Sequence, residues 1–277
     1  MSTVNSLNTA GLPKTGLHRD TAIEAIDLVK DYGTGENAVH ALRGVNVAFE
    51  RGKFTAIMGP SGSGKSTLMH TLAGLDSASH GKIVFSGFDI TSMNDTDLTM
   101  LRRHRIGFIF QSFNLLPMFT ARQNILMPLT LSGGKVDRQW FDMLSETLGL
   151  KDRLNHRPNE LSGGQQQRVA IARALITKPD VVFADEPTGN LDSVSSAEVL
   201  GFLKKSVSDF GQTIIMVTHD AIAASYADRA IVFADGSIVA DEANPNPDRM
   251  NELLMQERRR STTQHADKAQ LNAACLN

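Results

Sequence analysis

One nine-residue stretch of the sequence has the residue types needed to hold a chain of phosphates. Residues 59–67 read GPSGSGKST and fit the spacing G-x-x-x-x-G-K-[ST]. The three glycines allow the backbone to curl so that successive N–H groups point at one anion. Lys65 adds a positive charge for β- and γ-phosphates, and the hydroxyl of Ser66 is suited to ligating Mg²⁺. The stretch therefore predicts a phosphate-binding loop.

The residues on either side of this loop predict the elements that must position it. The apolar run 54–58 is typical of a buried strand. After the loop, apolar side chains recur at helical spacing until Gly74, which can end a helix. Such a helix points its positive N-terminal end at the same phosphates. Because both flanks are correct, a glycine-rich turn without function is the weaker alternative.

A second group with chemical potential stands at the end of another apolar run. Residues 181–184 read VVFA and are followed by Asp185 and Glu186. An acid at the carboxyl end of a buried strand can hold a metal ion, so Asp185 is a candidate metal ligand. Glu186 points differently because it is one residue further on, and it is the candidate general base for an attacking water. A solvated acidic strand end is the alternative for an isolated pair of this kind.

The stretch 161–168, LSGGQQQR, predicts a second anion-binding helix start in the same chain. With the loop and the acidic strand end, it makes the chain resemble the ATP-binding cassette (ABC) ATPases over about Ala22 to Asp241. A similar stretch, Leu131 to Gly134 (LSGG), lacks the QQQR continuation and is interpreted as a loop and helix start.

The resemblance implies a role for each of several residues. Tyr32 corresponds to the aromatic that stacks on adenine, Gln111 to a glutamine that senses Mg²⁺ and water, and His219 to a histidine that contacts the γ-phosphate. The implied catalytic residues are Glu186, His219, Lys65 and Gln111, and the implied metal ligands are Ser66, Gln111 and Asp185. The implied ATP contacts are Tyr32, Gly59, Pro60, Ser61, Gly62, Ser63, Gly64, Lys65, Ser66, Thr67, Ser162, Gly163, Gly164, Gln165 and Asp192.

The fold class expected from the pattern is α/β. Apolar strands alternate with helical stretches, which favours a mostly parallel sheet wrapped by helices. The resemblance adds that this is a P-loop NTPase (RecA-like) core with an antiparallel β-subdomain and an inserted α-helical subdomain at about 113–161. The expected organisation is a disordered leader at 1–20, an ABC ATPase domain at 21–242 and a polar C-terminal extension at 243–277.

The expected order of elements follows the apolar pattern. Strand pairs are expected at 22–29 with 41–49 and at 81–85 with 86–90, and a buried strand at 106–110. A looser section is expected at 112–130, followed by an amphipathic helix within 132–150. Helices at 169–176 and 195–210 and strands at 213–217 and 230–233 follow. A charged helix-like stretch is expected after residues 244–247 and through residues 258–260.

Composition limits the functional classes. The 277 residues carry a net charge of −2, which gives no electrostatic case for a nucleic-acid partner. The only cysteine, Cys275, lies in a polar stretch, so no disulfide framework is expected. No apolar run approaches the ~18 residues of a membrane span. We therefore expect a cytoplasmic protein that reaches the inner face of the membrane through another protein.

The resemblance also predicts partners and cofactors. ATP and Mg²⁺ are the expected ligands, and a second copy packed head to tail is the expected first partner, with each ATP between one phosphate loop and the other copy's Ser162. Residues 110–117 and 186–192 are most similar to the subgroup paired with FtsX-like permeases, which includes lipoprotein-releasing, macrolide-exporting, antimicrobial-peptide and cell-division systems. Met118 and Phe119 are the expected contacts for a permease helix. A soluble ABC ATPase of DNA maintenance or ribosome function, and an importer subunit, are the alternatives.

Overall fold

The computed structural model describes residues 20–33, 35, 38–257 and 259–260. The expected leader (apart from its last residue), Cys275 and the last part of the expected C-terminal extension lie outside the described residues.

A six-stranded sheet forms the centre of the described chain. Its order is β10-β9-β3-β8-β7-β6, and all neighbouring strands are parallel except β9 and β10. Every residue of β3 and β8 is buried, which is why these strands are continuous apolar runs. The strands are β3 (Phe54–Met58), β6 (Ile106–Phe110), β7 (Val181–Asp185), β8 (Thr213–Thr218), β9 (Arg229–Ala234) and β10 (Ser237–Ala243).

A smaller antiparallel sheet covers one face of the central sheet. Its order is β2-β1-β4-β5, with β1 at Thr21–Tyr32, β2 at Val39–Glu50, β4 at His80–Phe85 and β5 at Phe88–Asp89. The two faces of β3 feed different cores, because Ile57 packs with residues of this sheet while Ala56 and Met58 pack with the helices on the other side. The expected fold class, a mostly parallel core with an antiparallel subdomain, is confirmed.

Eight helices surround the sheets in the described residues. They are α1 (Lys65–Leu72), α2 (Asp95–Arg105), α3 (Ala121–Ser132), α4 (Arg138–Thr147), α5 (Gly163–Leu175), α6 (Ser193–Phe210), α7 (Ala221–Ala224) and α8 (247–257). Short 3₁₀ turns lie at Lys151–Arg153 and Pro158–Glu160. No described helix is both long enough and apolar enough to span a bilayer.

The expectation of a loose section at 112–130 is wrong for its second half. Thr120 and Gln123 form a capping box, in which each side chain bonds the other residue's backbone, and this box starts α3. Pro128 lies inside the helix. The proline suggested a loop, whereas the Thr-x-x-Gln spacing was the stronger signal.

The second LSGG stretch is also placed differently from the expectation. Ser132 ends α3, and Gly133 closes the helix in the left-handed conformation with φ 68°. The next helix, α4, begins only at Arg138. The stretch is therefore a helix end rather than a helix start, and the helix expected within 132–150 covers only 138–147.

One strand near the end of the chain, β10, was not expected from the sequence. Asp235 and Gly236 both have positive φ and turn β9 directly into β10, which is the geometry that an Asp-Gly hairpin favours. Helix α8 confirms the helix-like stretch expected after residues 244–247, and it packs Met250, Leu253 and Leu254 into the larger core.

Candidate nucleotide-binding site

The phosphate loop follows β3 and leads into α1, and its glycines are required by close backbone contacts. A Cβ at Gly59 would lie 2.0 Å from the carbonyl oxygen of Phe233, and one at Gly64 would lie 2.4 Å from that of Ala41. Both glycines also have positive φ, 153° and 102°. Any side chain at either position would displace backbone, so the loop shape depends on glycine.

Lys65, the first residue of α1, is buried against the loop that precedes it. Its ammonium donates a hydrogen bond to the Pro60 carbonyl oxygen at 2.6 Å. Burial lowers the pKa of Lys65, and the negative charges of Glu186 and Asp185 oppose that shift. The Lys65 ammonium is therefore a buried group beside the loop that would receive phosphates.

The two acids after the apolar strand have different environments. Asp185 is the last residue of β7, and burial, with a smaller contribution from Glu186, raises its pKa, while His70 and Lys65 act in the opposite direction. Glu186 has left the strand and adopts the left-handed conformation with φ 44°. This conformation is rare outside glycine and is typical of functional positions.

Glu186 and His219 form a hydrogen-bonded pair at the carboxyl ends of β7 and β8. The Nδ1 atom of His219 lies 2.9 Å from Oε1 of Glu186, so an Nδ1–H donates to the carboxylate. The bond fixes the direction of the Glu186 side chain. An oriented carboxylate of this kind can accept a proton from a water molecule.

A single cleft of about 940 Å³ collects most of the predicted residues of the phosphate side. Expected residues that line it are Tyr32, Pro60, Ser61, Gly62, Gly64, Lys65, Ser66, Thr67, Glu186 and His219. His40, Arg43, Asp235 and Gly236 also line the cleft and were missed. The Asp-Gly hairpin signal marked the last two, whereas nothing in the local sequence marked His40 and Arg43.

Tyr32 stands at one wall of the cleft, at the end of β1. Its hydroxyl donates to Oδ2 of Asp76 at 2.6 Å, and the residue as a whole is 42% exposed. Burial, followed by the Asp76 carboxylate, raises the pKa of the Tyr32 phenol, which keeps it protonated. The position and exposure suit an aromatic that stacks on a base.

The side chains available for a metal ion are one alcohol and one carboxylate. Ser66 lines the cleft, and Asp185 is the last residue of β7 in the central sheet. Over the described part of the chain, no three His, Cys, Asp or Glu side chains gather into a metal cluster. A site with only one or two protein oxygen ligands suits Mg²⁺, because this ion takes waters and phosphate oxygens as its other ligands. Ser66 and Asp185 are the residues that would hold it.

The residues of the LSGGQQQR stretch (161–168), called the signature from here on, lie outside this cleft. Ser162 caps α5, and it shares a capping box with Gln165. It is exposed, and neither it nor Gly163, Gly164 or Gln165 lines the cleft. Asp192 caps α6 by accepting hydrogen bonds from Val194 and Ser195, and these bonds, those from Ser195 first, lower its pKa.

The starts of α5 and α6 pack closely against each other. A Cβ at Gly164 would lie 2.9 Å from Oγ of Ser195, and the Leu191 side chain is the nearest neighbour of a Cβ at Gly163. The two exposed helix starts therefore form one surface. Of the two signature glycines, Gly164 is the one that this packing requires, because a Cβ at Gly163 would make only an ordinary van der Waals contact.

Gln111 faces this second surface and does not line the cleft. Its amide donates to Oδ1 of Asn190 at 3.2 Å, and the Asn190 amide donates to the Gln111 carbonyl oxygen at 3.1 Å. The side chain also covers Gly189, where a Cβ would lie 2.6 Å from its Nε2 atom. In this conformation the predicted metal sensor is held by the loop before α6.

Two residues of α5 that were not predicted connect the surrounding loops. Gln167 is fully buried and donates to the Pro187 carbonyl oxygen at 2.7 Å. Arg173 donates to the carbonyl oxygens of Phe113 and Asn114, two residues with positive φ. The signature helix thus holds the loop after β6 and the loop after β7.

An apolar groove of about 440 Å³ opens on another face, among α2, β6, α3 and α5. Phe108 and Phe110 of β6 and Leu131 of α3 line it, with Arg102 and Arg103 from α2. Met118 and Phe119, the expected partner contacts, do not line this groove.

The phosphate loop, the acids after a neighbouring strand and the second capped helix define a P-loop nucleotide-binding protein with a RecA-like core. The chain belongs to the ABC transporter family, since the protein-family model described as "ABC transporter" matches residues 42–189 of its sequence. It carries the ATPase domain of that family.

Similar proteins agree with this family. The chain is 46% identical over 222 residues to the lipoprotein-releasing system ATP-binding protein LolD of Geobacter metallireducens, which covers 79% of the chain and 98% of that protein. It is 48% identical over 213 residues to the macrolide export ATP-binding/permease protein MacB of Bdellovibrio bacteriovorus, which covers 77% of the chain but only 33% of MacB. The chain thus spans about one-third of its MacB relatives.

A solved structure agrees with the fold. The dimeric post-hydrolysis state of the cassette MJ0796 with ADP and Pi has a TM-score of 0.73 and 38% identity, and it covers 81% of the chain and 99% of that structure.

Proposed function

We propose that this chain binds and hydrolyses Mg²⁺-ATP as a head-to-tail dimer and that hydrolysis drives an FtsX-like permease in lipoprotein release, export or antimicrobial-peptide handling. The observation that carries the proposal is the Glu186–His219 pair, which lies in the same cleft as the phosphate loop and Lys65. The likeness to LolD and MacB supports this subgroup.

The residues of the cleft have separate roles in ATP hydrolysis. The loop N–H groups and Lys65 hold the β- and γ-phosphates, and the ring of Tyr32 stacks on the base. Glu186, oriented by His219, accepts a proton from water while the water oxygen bonds the γ-phosphorus. The bond between that phosphorus and the bridging oxygen breaks, and ADP leaves with the electron pair. Mg²⁺, held by Ser66 and Asp185, supplies charge neutralisation when bound.

A second copy of the chain completes the site. The cleft contains the phosphate loop, the general base Glu186 and Tyr32 for stacking on the nucleotide base. It lacks the signature, which is exposed elsewhere on the same chain. A capped helix start such as that of α5 favours an anion near its N–H groups. Head-to-tail packing brings Ser162 of one copy to the phosphates bound by the other. The dimeric state of MJ0796 with ADP and Pi supports this arrangement.

The apolar groove is the proposed contact for the permease. Most of its lining residues are apolar, and Arg102 and Arg103 also line it, which suits a short amphipathic helix with an acidic side. Leu131 and Leu75 at its edge are 65% and 48% exposed, so water contacts them in the isolated chain. Through this contact the ATPase would sit at the inner face of the membrane.

Dimerisation tests the first part of the proposal. Mg²⁺-ATP should shift wild type toward the mass of two chains in light scattering, whereas Lys65→Ala should stay monomeric because it binds ATP weakly. A wild type that remains monomeric and hydrolyses no ATP would contradict the proposal.

Groove variants test the second part. With the FtsX-like permease of the source organism co-expressed, Leu75→Ser with Leu131→Ser should weaken co-purification and permease-dependent stimulation of turnover. Met255→Ser on α8, which is 60% exposed, is the matched control. Equal co-purification of both variants would move the permease contact away from the groove.

A further inference from the structure

Tyr32 is hydrogen-bonded to a side chain, Asp76, that also binds Lys30, and the proposed mechanism gives neither Asp76 nor Lys30 a role. Lys30 and Tyr32 both lie on β1, and Asp76 lies just after α1. Asp76 accepts from the Tyr32 hydroxyl through Oδ2 at 2.6 Å and from the Lys30 ammonium through Oδ1 at 2.6 Å. One carboxylate therefore holds two side chains of the neighbouring strand.

The group is well supported by its surroundings. The Lys30 ammonium also donates to the Ser77 carbonyl oxygen at 2.7 Å, and the Lys30 side chain is only 9% exposed. The Ser77 N–H donates to Oδ1 of Asp76 at 2.8 Å, which fixes the carboxylate itself. Charge-assisted hydrogen bonds of this kind are stronger and more directional than neutral ones.

Lys30 also restricts which face of the tyrosine ring is free. Its ammonium lies over the ring, 4.8 Å from the centroid, at a distance typical of a cation–π contact. One face of the ring is thus occupied. A base that stacks on Tyr32 must use the opposite face.

Asp76 connects the two ends of the cleft through one helix. The N-terminal end of α1 carries the phosphate loop, and the Asp76 N–H bonds the carbonyl oxygen of His70 in the last turn of that helix. A ring bonded to Asp76 is therefore tied to the same rigid element as the phosphate loop. Without that bond, the Tyr32 side chain would keep its contacts with Thr67 and Lys30 but would lose its link to the last turn of α1.

We propose that Asp76 is a positioning residue that holds the Tyr32 ring at a fixed distance from the phosphate loop, so that base and phosphates are bound together. The proposal rests on the proposed binding of ATP in the cleft. Pre-organised contacts raise affinity because the ordering cost is already met in the free protein. Asp76 should therefore matter for ligands that carry both a base and phosphates, and not for phosphates alone.

The test compares ATP with tripolyphosphate, which has the phosphate chain and no base. Asp76→Ala and Tyr32→Phe should each raise the Kd for ATP by about 3- to 10-fold, as expected for the loss of one hydrogen bond. Both should leave the Kd for tripolyphosphate unchanged. In Asp76→Ala the KM for ATP should rise while kcat stays within about twofold, because pre-organisation affects ground-state binding most.

The double variant identifies the contact itself. Tyr32→Phe combined with Asp76→Ala should bind ATP no more weakly than the worse single variant, since both remove the same bond. Asp142→Ala, an exposed carboxylate on α4, is the matched control and should bind ATP as wild type does.

Three results would count against the proposal. Unchanged ATP affinity in both single variants would overturn the role of Asp76, while ATP binding by wild type would leave the proposed function standing. An equal loss of affinity for tripolyphosphate would mean that Asp76 merely supports the loop. A wild type that binds neither ligand would remove the proposed function as well.

Discussion

The phosphate-loop region and the signature region use the same device, a helix start that can bind an anion, but in opposite settings. The phosphate loop lies in a cleft with Lys65, Glu186 and His219 already gathered around it. Ser162 is exposed at the start of α5, and the residues packed near it are those of the loop before α6. One region is a nearly complete active site, and the other has no ligand-binding partner within its own described chain. The difference supports the proposal that the signature acts on another copy.

The largest effect is expected for a variant that loses ATP hydrolysis and keeps ATP binding. Glu186→Gln should lower ATP turnover by ~10²- to 10⁴-fold because the amide cannot accept the proton. ATP binding should persist, so the ATP-bound dimer should accumulate in size-exclusion chromatography. Glu146→Gln on α4, whose carboxylate pairs with Lys151, is the control. Normal turnover in Glu186→Gln would remove this residue as the base.

A second change acts on the signature region alone. Ser162→Arg should abolish ATP-driven dimerisation, because a bulky side chain would meet the partner's loop, and should leave ATP binding by the monomer intact. Loss of the cap costs ~1 kcal/mol, so the melting temperature should fall only slightly. Ser132→Arg, in the other LSGG stretch, is the control and should dimerise normally. If both variants behaved alike, the wrong LSGG would have been chosen as the signature.

The smallest effect is expected for a variant that changes the free energy of unfolding but alters neither the phosphate-loop region nor the signature region. The hydrogen bond from Arg229 holds the pKa of Asp241 below its usual range. The ionised carboxylate therefore stabilises the fold above the ordinary aspartate pKa, and this contribution is lost as the pH falls through the lowered value. Asp241→Asn should lower the free energy of unfolding by ~0.2–1 kcal/mol at neutral pH, as expected for an exposed pair.

The pH dependence of that difference is the check on its cause. In urea unfolding, wild type and Asp241→Asn should converge as the pH is lowered toward ~3, below the ordinary aspartate pKa. ATP affinity and dimerisation should be unchanged throughout. A constant difference at all pH values would mean that packing, rather than charge, is responsible.

The sequence was most informative where the backbone itself dictates the residue type. The glycines of the phosphate loop, the apolar strand before Asp185 and the fold class were all predicted, because close approach and burial leave few choices. Helix α3 was missed since Pro128 outweighed the capping box, and β10 was missed although Asp235-Gly236 marked its turn.

The rest could not be predicted because it depends on tertiary contacts. His40, Arg43 and Asp76 approach the nucleotide cleft only when separate elements pack together. The same holds for Gln111, whose partner Asn190 comes from another loop. The separation of the signature from the cleft is likewise a property of the folded chain.

The most direct test of a site shared between two copies is complementation. Ser162→Arg has an intact base and no working signature, while Glu186→Gln has an intact signature and no base. A mixed dimer carries the bulky Arg at one of its two sites only, and its other site has both parts intact. An equimolar mixture should therefore hydrolyse ATP well above the sum of the separate preparations. Turnover equal to that sum, with mixed dimers verified by pull-down of differently tagged chains, would contradict a site completed by the second copy.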